Sequence, residues 1–169
     1  MIDLVPEADE ALSITPAVWD FNGELDSEKF AEMLSSNMIL HKGVGLSANQ
    51  VGVPFQVFSM LMNGETPVTC FNPKILEESE ETVFMKEGCL SYPHLWLNIH
   101  RPKSITVSYR TERGELIHEN LEGFEARIFH HEMDHMNGKN FTERVSKTLL
   151  REARKKQRVL VRKYGKTIE

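Results

Sequence analysis

Cysteine is scarce in this sequence, with only Cys70 and Cys89 in 169 residues. Two thiols allow one disulfide at most, a poor framework for a chain of this length, so both are expected to be free thiols. Long apolar runs are missing too. Nothing approaches the roughly 18–20 consecutive apolar residues of a membrane helix, and the first ten residues are acidic where a secretory signal would be basic. No membrane partner is expected, and no DNA partner. Internal repeats, low-complexity tracts and linkers are also lacking, so the length reads as one domain over 1–169. A hydrophobic share of 40% and a charged share of 27% are ordinary for a globular chain and exclude disordered and fibrous designs.

Charge is unevenly placed. Ten of the 20 Lys and Arg, but two of the 25 Asp and Glu, fall within 144–169, so a net charge of −5 conceals a basic tail on an acidic body.

Periodicity supplies the elements. Over Asp26–Lys42 the residues Phe30, Met33, Leu34, Met38 and His41 recur at three- and four-residue steps, between an Asp26 or Ser27 cap and Gly43. Strands are predicted at Phe55–Met62, Thr66–Phe71, Ser104–Arg110 and Glu115–Leu121, the last two as a hairpin across Thr111–Gly114. A helix over Phe124–Asn137 puts Phe124, Ile128, His131 and His135 on one stripe with Gly138 as its stop. A basic terminal helix is expected at about 146–164. The stretch Pro93–Arg101 reads as a loop.

The chemistry concentrates in His131-Glu132-Met133-Asp134-His135, an HExxH pattern. On a helix, residues i and i+4 lie about one turn apart and present two imidazoles to one metal ion, with the intervening Glu placed as general base. A hydrolytic site of this kind needs a third protein ligand. The metzincin position falls on Phe141, which cannot coordinate, so that class is excluded. Glu152 stands where a thermolysin-like ligand would come from, although Arg and Lys surround it. Upstream, Glu87-Gly88-Cys89-Leu90-Ser91 sets a cysteine beside a glycine that permits close backbone approach, and a thiolate ligand would explain this cysteine. Its bland alternative is a buried small hydrophobe.

Three motifs stand in order: Gly43-Val-Gly-Leu-Ser-Ala-Asn-Gln50, Glu87-Gly-Cys-Leu-Ser91 and His131-Glu-Met-Asp-His-Met-Asn-Gly138. With Asn72-Pro73, Pro93, Arg101 and Ala126-Arg127 between them, the chain from about 26 to about 160 resembles the peptide deformylases. The resemblance implies an α+β fold, with antiparallel sheets around a central helix carrying HExxH, and a C-terminal helix. It implies one divalent ion on Cys89, His131 and His135, natively Fe(II), with Zn, Ni or Co able to occupy the site. It further implies hydrolysis of the formyl group from N-formylmethionyl nascent peptides, with Glu132 as base and Gln50 and the Leu90 N–H stabilising the oxyanion. Substrate contacts are implied at Val44, Gly45, Met85, Glu87, Gly88, Phe124 and Ile128, with His131 also bordering the methionine pocket. Ribosome docking through the basic helix is implied as well, and a cytoplasmic location, an organelle or a phage-infected host included. Ser47, His94 and His130 depart from the usual pattern of the family. His130 is the one that would compete as a ligand, but a helical step of about 100° turns it away from His131 and His135.

Overall fold

The computed structural model describes residues 1–165, so the last four residues of the expected 1–169 domain lie outside the described residues. Helix α1 spans Ser27–Leu40, capped by Asp26, whose side chain accepts from the Lys29 N–H. Then come strands β1 (Gly45–Ser47), β2 (Val57–Met62), β3 (Thr66–Glu78), β4 (Thr82–Cys89), β5 (Tyr92–Pro102), β6 (Ser104–Arg110) and β7 (Leu116–Glu122). Helix α2 covers Gly123–Met136 and α3 Lys147–Tyr164. Both expected helices around the HExxH motif and the tail are therefore present, within a residue or so of their predicted bounds.

The strands form two antiparallel sheets, one in the order β1-β2-β3-β6-β7 and one of β4 and β5 alone. The β6–β7 hairpin follows the sequence expectation. The expectation of a loop at Pro93–Arg101 is overturned: these residues lie in β5, paired with β4 from Thr82↔Pro102 to Gly88↔Trp96. Along β5, Leu95, Leu97 and Ile99 are buried while Trp96, Asn98 and His100 are exposed, the two-residue period of a half-buried strand.

Three buried clusters fix where the site falls. Phe58, Val107, Leu121 and Phe129 join the large sheet to one face of α2. Trp19, Leu34, Met38 and Phe71 seat α1 on the other end of that sheet. Leu12, Leu95, Leu97 and Phe141 join β5 to the segment after α2. Helix α2 is thus enclosed, with Ala126 through Glu132 and Asp134 through Met136 all buried. Its end is set by Gly138 at φ 63°, where a Cβ would meet the Ser13–Thr15 backbone at 2.8–3.0 Å. Only glycine suits both that dihedral and that approach.

Candidate metal centre

Because α2 is covered on both sides, its polar residues face protein, and each needs a partner. His131 and His135, one turn apart, hold their rings 5.3 Å apart between centroids. Cys89 reaches them from the end of β4, where the pairing with β5 slips between Gly88 and Cys89. Such irregularities re-aim side chains next to active sites. The result is a group of three donor atoms, one from each of Cys89, His131 and His135, all within 4.8 Å of one another and all on buried residues. The Cys89 Sγ lies 3.5 Å from His135 Nε2. Tetrahedral N and S ligands at roughly 2.0–2.3 Å from an ion have edges of similar length. A soft thiolate with two imidazoles suits Zn, Fe and neighbouring divalent ions, so the residues fit a divalent metal.

Glu87 orients the set. Its Oε2 accepts from His131 Nδ1 at 3.2 Å and from Arg101 at 2.9 Å, and its Oε1 accepts from Arg101 at 2.8 Å and Arg127 at 2.6 Å. With Nδ1 donating to a carboxylate, His131 presents Nε2 to the ligand position, the usual tuning of a metal-bound imidazole. Both Glu87 oxygens are thereby occupied by protein groups. Glu87 borders the cleft, but its carboxylate supports His131 from beneath. Arg101 also donates to Asp134 at 2.8 Å, and Arg144 closes the chain of charges on Asp134.

The environment separates the titrations. Burial opposes the charge on Glu87, yet hydrogen bonds from Arg101 and His131 hold its carboxyl far below the usual carboxylate range. Burial lifts Glu132 to about 7, against the attraction of His131. For His131 burial is outweighed by hydrogen bonds to Cys89 and Glu87, which raise it well above the ordinary value, while burial and the charge of His131 take His135 down to about 3.

Glu132 is 2% exposed, and its Oε2 has no hydrogen-bond partner. A Cβ on Gly45 would collide with the Glu132 carboxylate, so β1 passes this group as closely as a backbone can. Gln50 donates through Nε2 to Cys89 Sγ at 3.3 Å and to Ser91 Oγ at 3.2 Å. Its Oε1 accepts from the Ser47 N–H at 3.0 Å and shares the single Ser47 hydroxyl proton, at 3.0 Å, with Asn49 Oδ1 at 2.7 Å, so Ser47 helps to hold the amide in place.

Of the residues singled out in the sequence, Val44, Gly45, Gln50, Glu87, Gly88, Cys89, Leu90, Phe124, Ile128, His131 and Glu132 line one cleft. Met85 is not among its lining residues. His135 lies beneath, 1% exposed. His130 is turned away as the helical step requires, 3.8 Å from Glu78. Glu152 lies at the surface, bonded to Lys155 at 2.9 Å, and takes no part. Arg127, Tyr92 and Leu95 border the cleft unforeseen. Arg127 precedes the HExxH motif, and its position one turn before His131 was the available signal.

Comparisons with known proteins agree with this geometry. Residues 7–150 match the polypeptide deformylase family. A peptide deformylase of Thermotoga maritima is 44% identical over 119 residues, which cover 70% of this chain and 72% of that protein. One of Prochlorococcus marinus is 38% identical over 142 residues, 82% of this chain and 70% of that one. The crystal structure of the Thermotoga maritima enzyme superimposes with a TM-score of 0.80 at 40% identity, covering 86% of this chain and 98% of that one. That of a Synechococcus elongatus peptide deformylase in complex with actinonin gives 0.84 at 33% identity, covering 92% and 87%. A match over most of the length, at these identities and on this fold, means that the chain belongs to the peptide deformylase family, metal-dependent hydrolases that remove the N-formyl group from nascent polypeptides.

Proposed function

We propose that the chain works as one catalytic domain over 1–169, with Glu132 as general base and Gln50 and the Leu90 N–H as oxyanion donors. Cys89, His131 and His135 would hold the ion. The observation that carries this reading is the convergence of those three donors beside a buried Glu132 with an unpartnered carboxylate oxygen.

A divalent ion on these residues supplies positive charge that acidifies water and polarises a carbonyl oxygen. Glu132 takes the proton of the attacking water, the hydroxyl adds to the formyl carbon, and the C–N bond breaks as Glu132 returns that proton to the leaving amine. Gln50 Nε2 and the Leu90 N–H donate to the oxygen on which charge develops. Val44 and Gly45 pair with the peptide as an added strand. Phe124 and Ile128 border the space for the methionine side chain. Met85 does not line the cleft and is assigned to that pocket on the family resemblance.

Fe(II) is proposed as the native ion, with Zn, Ni or Co able to replace it, on the resemblance and on a donor set that suits them all. Metal analysis of protein purified without oxygen checks it. Formate release from formyl-Met-Ala-Ser by the iron-loaded protein, and its near loss in Glu132→Gln, tests the reaction and the base together. Formate from the mutant at the wild-type rate would refute the base assignment.

We also propose a cytoplasmic site of action, supported by substrates that are nascent chains. No described helix is long and apolar enough to cross a membrane. Ribosome docking through α3 is supported by its exposed Arg158, Arg162 and Lys163. Binding to ribosomes should weaken with salt and with charge reversal of these three residues; unchanged binding would refute it.

A further inference from the structure

The floor and the mouth of the cleft differ in charge. Its acidic lining residues, Glu87 and Glu132, are buried at the floor, and Glu87 is matched by Arg101 and Arg127. The exposed charged residues that line it are both lysines: Lys42, between α1 and β1, and Lys86, on β4. Among the described residues the lysines in ion pairs are Lys29, Lys103 and Lys155, so both rim lysines keep their charge for a ligand. Lys86 stands over the ring of Trp96 at 4.9 Å, beside an aromatic surface that is 48% exposed.

The backbone at Lys42 gives a second, independent sign. Helix α1 ends in a turn in which Gly43 N–H donates to Met38 O and Lys42 N–H to Ile39 O, both at 2.9 Å. Helix α2 ends in the same turn, with Lys139 N–H on Asp134 O and Gly138 N–H on His135 O. The left-handed residue of α2 is Gly138, as the turn favours, but in α1 it is Lys42, at φ 57°. Non-glycine residues at positive φ are otherwise Asn63, Asn72 and His94. Asparagine takes this conformation readily. Histidine is enriched there as well, which leaves Lys42, a residue of the cleft lining, as the one that does not. A side chain kept at a strained position in a cleft points to use of that side chain.

We propose that Lys42 and Lys86 are specificity-determining residues that favour acidic side chains in the residues following the formyl-methionine and disfavour basic ones. The proposal rests on the reading of this cleft as the formyl-peptide site. The methionine side chain and the reacting amide occupy the buried floor, so the following residues leave through the mouth, past the two lysines. Exposed charges in water interact modestly, so the preference for acidic over basic peptides is expected to be about tenfold at low salt and to fade near 1 M salt.

The test is kcat/KM of the iron-loaded enzyme on formyl-Met-Ala-Ser, formyl-Met-Glu-Glu and formyl-Met-Lys-Lys, at low and high salt. The wild type should prefer Glu-Glu over Lys-Lys, chiefly through KM. In a Lys42→Gly/Lys86→Gln double variant the ratio should fall to near one, and in Lys42→Arg/Lys86→Arg it should persist. Lys42→Gly relieves the left-handed strain, so the double variant is expected to fold, which a thermal melt checks. A wild-type ratio near one, with formyl-Met-Ala-Ser turned over, overturns the proposal and leaves the deformylase reading standing. A ratio that survives loss of both lysines overturns their assignment. No turnover of any of the three peptides overturns the reading beneath.

Discussion

Helices α2 and α3 both carry a dense set of ionisable residues, and they treat them in opposite ways. In α2, Arg127, His130, His131, Glu132, Asp134 and His135 are all at most 8% exposed. In α3 the Lys and Arg residues lie at the surface or half-buried, and the sole buried residue is Gln157, which donates to the Pro93 carbonyl at 2.9 Å. Charges on α3 cost nothing to hydrate and fix little. Those on α2 are kept from water, so their geometry is dictated by Glu87, Arg101 and Arg144. A buried charge is costly unless paired, and the pairing here leaves one carboxylate, that of Glu132, without a full set of partners. The helix that carries the chemistry is therefore held by its neighbours, and the helix that carries the net charge is held by its own amphipathic pattern.

The contrast can be broken most sharply at Glu132. Glu132→Gln should lower kcat by about a thousandfold with metal content unchanged, as loss of a general base does; stopped assays of formate measure it. Next in size, Arg101→Met leaves Glu87 and Asp134 short of a buried partner and should cost about 3–5 kcal/mol in urea unfolding. The matching change on α3, Arg158→Ala, should stay within about 0.5 kcal/mol. Ser146 caps α3 by accepting from the Leu149 N–H, whereas no side chain caps α2 at Glu122. Ser146→Ala should then cost about 1 kcal/mol and Glu122→Ala much less.

A smaller effect is expected where the amide of Gln50 meets the hydroxyl of Ser47. Ser47→Ala removes the one hydroxyl proton shared by Gln50 Oε1 and Asn49 Oδ1 and keeps the backbone N–H bond to Gln50, so kcat should fall by at most roughly fivefold, the kinetic equivalent of about 1 kcal/mol, with KM little changed. The smallest concerns the Asp26 cap of α1. Its backbone hydrogen bond to Lys29 holds the carboxyl below its ordinary value. A depressed carboxyl stabilises the folded chain above its unfolded pKa and loses that contribution as pH falls through the folded one. The Tm difference between wild type and Asp26→Ala should be present at pH 7 and shrink in acid below about pH 4.

Much of this contrast was legible in the sequence, because both helices follow periodicity and the HExxH spacing fixes His131 and His135 on one stripe. Cys89 was legible through its motif. The β4–β5 hairpin was not, since Pro93 and the positive φ of His94 interrupt the start of a strand whose alternation, Leu95 to Ile99, is otherwise regular. Nor was the network of Glu87, Arg101, Asp134 and Arg144, whose members come from separate elements and whose pairing depends on how those elements pack. Ser47 reads in the sequence as a departure from the family pattern, and its bond to Gln50 depends on the turn that brings the two together.

The close passage of Gly45 by the Glu132 carboxylate has a practical corollary. Nothing about the dihedrals of Gly45 demands glycine, so Gly45→Ala is a shape change alone: one methyl group that displaces the carboxylate without altering any charge. Such a protein would keep Cys89, His131 and His135 intact while Glu132, the proposed general base, is pushed aside. It would take up metal and release little formate, and the same methyl, 3.0 Å from Ile128 Cγ2, would narrow the space proposed for the methionine side chain.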